Sequence, residues 1–396
     1  MSLDLTKVAA QVGALIAGLK NNRAAREQRL RYALDTLSGS AIDLAALKKK
    51  ISAGKTTWLV AEVTEALDTR YPLPALPPDF TVFATDGSHI DVDRHRAARC
   101  YLINIGAVTL TYGSRPDAAL SSHPYLYSDD KDMVVKAPGG GREQIVEGAL
   151  LGAKRSIEEC LKLAELAAAL PKDSAALAML DGTLILWGLE AYPEFVGDMF
   201  VRDGLVPALN SMKKLNRDRR LALASYISFP RSTDVVNVLR VATCPHDVPD
   251  CDKYCSESRE CDGLSGVRDR DIFENLLSDG ERSALFISPS KIVKERYGEH
   301  KIYFFYLKAG DEIARVEIPH WVADSAELLE LTHSLAFDQC RRGGGYPVAL
   351  SEAHEQAVVT GTDRENFWEL VESGLIEEKI PTSGSAKSLS KRTRWV

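Results

Sequence analysis

Four prolines fall within Pro72–Pro78 of the run Tyr71-Pro-Leu-Pro-Ala-Leu-Pro-Pro78. A proline ring fixes its own φ and removes a backbone donor, so no helix interior passes through such a run. The chain is therefore cut into two stretches that must satisfy their backbones separately. Before the cut, Leu5, Val8, Val12, Leu15, Ile16 and Leu19 recur at helical spacing. Asn21-Asn22 ends that helix, a charged helix follows over about Arg23–Leu37, and a third is expected from about Ile42 to Leu67, broken near Gly54. After the cut the period changes. Phe80–Ala84 and Cys100–Thr111 read as strands of a hairpin. A long helix is expected from about Arg142 to Pro171, with Val146, Ala149, Leu150, Ala153, Ile157, Leu161 and Ala164 as its apolar stripe. Ala175–Leu180, Leu221–Phe229, Ile302–Leu307 and Ala314–Ile318 read as further strands. Ser325–Arg341, Ser351–Thr360 and a last segment capped by Thr362 or Asp363 read as helices. This order predicts a mixed α/β sheet flanked by helices.

Composition narrows the class. The 396 residues carry 49 basic and 56 acidic side chains, a net charge of −7, which excludes a uniformly basic nucleic-acid coat but not a local basic groove. The most apolar stretch, Val8–Leu19, is shorter than the ~20 residues that span a bilayer. With an acidic start and no cleavage-like site after an apolar run, the expectation is a soluble cytoplasmic protein. Seven cysteines cannot all pair, which agrees with a reducing compartment.

Two apolar runs end alike, Phe83-Ala-Thr-Asp86-Gly-Ser88 and Met179-Leu-Asp181-Gly-Thr183. Carboxylates ending neighbouring strands share one sheet edge, and a divalent cation relieves their repulsion. The alternative is that each Asp-Gly is a simple turn. Glu147 flanks the expected helix seam, where it points along the sheet or pairs with Lys154 or Arg155. His354 follows Ser351, a candidate N-cap, and Tyr346-Pro347 leads into the same helix entrance. A histidine there binds a metal or handles a leaving-group proton, or is simply a surface residue.

Cys244, Cys251, Cys255 and Cys261 fall within 18 residues at C-x6-C-x3-C-x5-C spacing. Such crowding in a reduced chain points to a metal. The spacing lacks the paired C-x2–4-C knuckles of structural zinc, so an iron–sulfur cluster is preferred, zinc is the alternative, and His246 is a possible replacement ligand. Basic residues gather between Arg202 and Arg240, among them Lys213, Lys214, Arg217, Arg219, Arg220 and Arg231, as a phosphate track or a solvated helix face. The tail adds Lys387, Lys391, Arg392, Arg394 and Trp395. Ala53-Gly-Lys-Thr56 is not a phosphate loop, because Lys49 stands where the first glycine belongs.

In their order these motifs resemble the NurA nucleases of DNA end processing. The carriers are Phe83–Ser88, Glu147 in Glu-Gly-Ala-Leu-Leu-Gly-Ala-Lys-Arg, Leu180–Thr183, Ser225–Ser232, Arg315–Pro319 and Gly345–His354, spread over roughly residues 80 to 360. The resemblance implies a ribonuclease H-like fold and a metal-dependent DNA nuclease with 5′→3′ exonuclease and single-strand endonuclease activity. It further implies Mn²⁺ (or Mg²⁺), homodimers, and a HerA-type hexameric ATPase as partner in resecting broken ends. Its acidic and metal positions fall on Asp86, Glu147 and Asp181, and its late Tyr and His on Tyr346 and His354.

The resulting expectation is a helical N-terminal region (1–75), a nuclease core (76–360) with a cysteine insertion at about 244–290, and a C-terminal helix and basic tail (361–396). The first core strand is expected to end at Asp86. The competing readings are a non-catalytic DNA-end or ATPase-docking adaptor, separated by metal-dependent cleavage, and a related enzyme acting on RNA, separated by substrate competition.

Overall fold

The computed structural model describes residues 4–38, 43–93, 96–255 and 259–380. The basic tail singled out above lies outside them. The chain divides into two compact units. One takes the residues up to Pro72 together with Ser228–Pro289 and Phe304–Arg315; the other takes Leu73–Ile227, Ser290–Tyr303 and the residues from Val316 on. The first change of unit, between Pro72 and Leu73, falls in the proline run. Residues 228–289, which hold the four-cysteine segment, group with the N-terminal helices.

In the N-terminal unit, helices Leu5–Asn21, Arg23–Ser38 and Leu44–Ala53 follow one another. The third stops at Ala53 and does not run on to Leu67. The Gly54 cap is extended, and the Lys55 backbone bonds Pro249 and Cys251 instead of continuing the helix. The core of this unit packs Ala33, Leu37, Leu47 and Val63 against Val235, Val238 and Leu239 of helix Asp234–Thr243. Phe273, Phe286, Phe304 and Tyr306 complete it. Short strands Glu62–Val63 and Phe286–Ile287 pair antiparallel, as do Arg70–Tyr71 and Arg282–Ser283.

The second unit is built on strands β1 (Phe80–Ile90), β2 (Tyr101–Tyr112), β3 (Asp117–Tyr127), β4 (Ala175–Asp181) and β5 (Arg220–Ile227), in the spatial order β3-β2-β1-β4-β5. β1, β2 and β3 form an antiparallel meander; β4 runs parallel to β1, and β5 parallel to β4. The expected hairpin therefore forms, and a third meander strand joins it. β4 reads as an unbroken apolar run because both of its faces are covered.

Helix α1 (Ala149–Ala169) lies on one face of this sheet and helix α3 (Val348–Ala357) packs against β1 and β2. Helix α2 (Ala326–Arg342), capped by Ser325, comes between them in sequence, and α4 (Gly361–Glu377) closes the chain with a Thr360–Asp363 capping box. The seat of α3 explains Gly106: a Cβ there would lie 2.1 Å from Ala353 O and 2.5 Å from Ala357 N. Asn104 then donates to Gln356 O and Ala357 O, binding the end of α3 to the sheet. Among the described residues, no helix is long and apolar enough to cross a membrane.

Three local expectations are corrected. β1 does not end at Asp86 but runs through Asp86-Gly87-Ser88 to Ile90, because Gly106 and its neighbours pair with that segment along its whole length. α1 begins at Ala149, behind the short strands Val134–Lys136 and Glu143–Ile145, so Glu147 precedes the helix. α3 begins after Pro347 and not at Ser351, which places His354 in its second half.

Candidate active site

The registers put two carboxylates together. Thr85 pairs with Leu180 across the parallel β1–β4 ladder, so the residues that follow, Asp86 and Asp181, are neighbours on strands ~4.8 Å apart. Alternation along a strand sends both to the face opposite Thr85. Thr85 donates to the Glu159 carbonyl of α1, so Asp86 and Asp181 face away from that helix.

Each of the two meets a side chain from the C-terminal part of the chain. His354 Nδ1 is hydrogen-bonded to Asp86 Oδ2 at 2.7 Å, the carboxylate accepting. The imidazole remains 62% exposed. Tyr346 donates its hydroxyl to Asp181 Oδ1 at 2.9 Å, and its ring stands edge-on to Tyr226 at 5.7 Å between centroids. The turn after Asp181 is fixed by Glu317, a buried acid that accepts from the Thr183 hydroxyl at 2.7 Å and the Leu184 amide at 3.0 Å.

A third carboxylate approaches the same strands from α1, on the face of the sheet opposite Asp86 and Asp181. Glu159 is 5% exposed, and its Oε1 would lie 2.5 Å from a Cβ on residue 87. Gly87 is thus glycine because a buried acid occupies the space its side chain would take. The Arg155 Nε lies 3.1 Å from Glu159 Oε1, but the alignment makes an ion pair without a hydrogen bond, and that oxygen has no hydrogen-bond partner. Burial pushes the Glu159 carboxyl up to about 8; Arg155 opposes this, and the charges of Asp86 and Asp181 add to it. Asp181 is likewise raised, first by loss of solvation at the walled rim and further by Asp86, with Tyr346 pulling it back down. The Asp86 charge thus adds to the proton affinity of both Glu159 and Asp181, a repulsion that a divalent cation would relieve.

The donor set fits a hard divalent cation in its chemistry: carboxylate oxygens and one unpartnered buried oxygen. Its side chains are not turned onto one point. Asp86 faces His354, Asp181 faces Tyr346 and Glu159 faces Arg155. Among the described residues, no three His, Cys, Asp or Glu side chains converge closely enough to hold an ion as they stand.

Of the residues expected from sequence, Asp86, Asp181, Tyr346 and His354 come together here. Glu147 is exposed, ahead of α1, and lines a hollow with Ile90, Asp91, Val92, Asp93, Arg364 and Trp368. Its expected partners are engaged elsewhere, Lys154 with Asp132 at 3.8 Å and Arg155 with Glu159. Glu159 was missed. The stripe read from sequence placed Leu161 inside, yet Leu161 is 40% exposed while Glu159, Cys160 and Leu163 are buried. The signal that could have found it is an acid two positions after Ile157, out of step with the charges on the exposed face.

In the N-terminal unit the four cysteines carry free thiols. Cys251 opens the short helix Cys251–Tyr254 and Cys255 caps its end, one helical turn on, and His246 stacks on Tyr254 at 3.9 Å. Burial and the neighbouring Cys251 and Cys244 thiols push the Cys255 thiol up. The basic stretch is largely engaged in local ion pairs: Arg202 with Asp198, Lys213 with Glu299, Arg219 with Asp218 and Arg220 with Glu327.

The sequence model of the NurA domain matches residues 80–359. No curated protein matches the chain. Among solved structures, a crystal structure of NurA with manganese aligns over 89% of this chain and 98% of that one, at 10% identity and a TM-score of 0.39.

Proposed function

The chain belongs to the NurA family of DNA end-processing nucleases, and from that premise we propose that it is a divalent-metal-dependent DNA nuclease with the acids around Asp86 as its centre. The observation that carries the reading is the placement of Asp86 and Asp181 side by side on β1 and β4, with the buried Glu159, whose Oε1 accepts no hydrogen bond, beneath Gly87. The order β3-β2-β1-β4-β5, with an antiparallel meander followed by two parallel strands, supports a ribonuclease H-like arrangement of the core.

Asp86 and Asp181 would hold the metal from the α3 side of the sheet, with Glu159 reaching toward the same strand ends past Gly87 from the α1 side. Oxygen ligands suit Mg²⁺ or Mn²⁺, and imidazole from His354 would shift the preference toward Mn²⁺. When bound, such an ion supplies Lewis acidity at a phosphodiester and lowers the pKa of a water. The chain's own residues supply the rest. Asp86 fixes the ring and tautomer of His354, whose remaining nitrogen, Nε2, serves either as that metal ligand or, where the metal does not take it, to take or give a proton at the leaving oxygen. Tyr346 holds Asp181 in place, and Glu317 holds the turn behind it.

We further propose 5′→3′ exonuclease and single-strand endonuclease activity on broken DNA ends, action as a homodimer, and partnership with a HerA-type hexameric ATPase. The four thiols of the N-terminal unit are proposed to bind iron–sulfur or zinc on the strength of their spacing; iron, sulfide and zinc content of the purified chain checks this.

The test is digestion of end-labelled single- and double-stranded DNA with Mn²⁺, Mg²⁺ or EDTA, alongside Asp86→Ala. Manganese-dependent shortening that is lost in the variant is expected. Undiminished cleavage by Asp86→Ala would sink the assignment. Cleavage that requires the added ATPase would separate a partner-dependent nuclease from a non-catalytic adaptor, which stays inert in its presence.

A further inference from the structure

Phe229 has an unusual combination of properties in the N-terminal unit. It stands two residues after β5 ends, in Ser228-Phe-Pro-Arg231. Its side chain is large and apolar, yet it is 64% exposed. Its φ is +48°, in the left-handed region that bulky residues avoid. Pro230 follows it, and a residue before proline prefers extended backbone. Strain of this kind persists only where surrounding contacts hold it, and it gathers at functional positions. Here the contacts are named: the Phe229 amide donates to Glu312 Oε1 at 3.3 Å, and the Arg270 guanidinium lies over the ring at 3.5 Å from its centroid.

The surroundings of the ring are cationic. Arg270 Nη1 is buried without a hydrogen-bond partner, and its Nε reaches Asp271 only at 3.8 Å. Arg26 also points at Asp271, at 3.3 Å, so one carboxylate serves two guanidinium groups. Arg231 is exposed beside the ring in sequence. An exposed aromatic face backed by surplus positive charge has the chemistry of a single-strand stacking platform: the ring takes a base and the guanidinium groups take phosphate. A purely structural role would bury the ring and would not need a strained backbone to present it.

We propose that Phe229, backed by Arg270, stacks an unpaired nucleobase of single-stranded DNA. The proposal rests on the nuclease reading above and names the residue that holds the strand. The test is fluorescence anisotropy in EDTA with two labelled probes of equal length, an oligo-dT strand and its abasic counterpart. The parent is expected to prefer the oligo-dT probe several-fold. Phe229→Ala should bind oligo-dT about 5- to 10-fold more weakly and lose the preference. Phe229→Trp should restore both. Phe229→Gly, which relieves the positive φ, should melt at or above the parent temperature while binding as poorly as the alanine variant. Unchanged oligo-dT affinity in Phe229→Ala overturns the platform, and the nuclease reading stands if the parent still cleaves DNA. A parent that neither binds nor cleaves DNA overturns both.

Discussion

Two of the buried acids, Asp269 in the N-terminal unit and Glu159 in the second, have surroundings that differ. Asp269, in the N-terminal unit, is fully buried and accepts three hydrogen bonds: from the Val235 amide at 3.1 Å, the Val236 amide at 2.8 Å and the Tyr306 hydroxyl at 2.6 Å. It caps helix Asp234–Thr243 from a distance, satisfying amides that the helix cannot pair itself. Burial and the neighbouring Asp234 raise its carboxyl; Tyr306 and the two amides hold it down. Glu159 is nearly as buried but has an oxygen without a hydrogen-bond partner, one misaligned arginine and two further acids in its field. Satisfied acids hold a fold together. An unsatisfied one is a cost that the fold alone does not explain, and the simplest relief is a cation.

Glu159→Gln is expected to show the largest effect. It should lower metal-dependent cleavage by roughly 100-fold or more if that oxygen is a ligand, with the chain still folded. Steady-state digestion rates across a Mn²⁺ titration check this; wild-type rates would return Glu159 to a structural role. Asp269→Ala breaks the other side of the comparison. It leaves two amides and a hydroxyl without an acceptor and should cost about 3 kcal/mol in a denaturant titration. Its specific activity per folded molecule should be retained.

The third expectation concerns pH. The folded-state carboxyl of Glu159 is raised from 4.5 to about 8, so the protein is stabilised by the neutral form. That stability is full below pH ~4.5 and is lost as pH rises toward 8. Glu159→Gln should therefore melt several degrees above wild type in EDTA at pH 8, with the gap closing near pH 4.5. A constant gap across that range would show that ionisation is not the cause. Smallest of all, Glu147→Gln should change cleavage by no more than about 2-fold, because the exposed Glu147 stands outside the group around Asp86.

Much of this was legible in the chain. Asp86 and Asp181 announce themselves because each ends an apolar run with Asp-Gly, and residues after a strand's apolar stretch gather on one rim when the strands are neighbours. Tyr346 and His354 were placed together by sequence proximity, though the helix that carries His354 starts four residues earlier than its N-cap signal suggested. Ser351 is a good cap in isolation; Pro347 supplies an earlier start, and local preference yields to the packing of α3 on Gly106. The edge strand β3 went unread because Asp117–Tyr127 is mostly exposed and lacks apolar alternation.

The sequence by itself determined the break at Pro72–Pro78, the change of period across it, the identities of the central strands and the pair of aspartates. Those features are local, and backbone stereochemistry with side-chain period is enough to specify them. Only the tertiary structure decided which glutamate joins the aspartates. Glu147 and Glu159 lie on one segment, and a shift in where α1 begins and which stripe it buries exchanges their places. Gly87, 72 positions before Glu159, belongs to that fit: having no Cβ, it leaves the Glu159 carboxylate its place against the sheet.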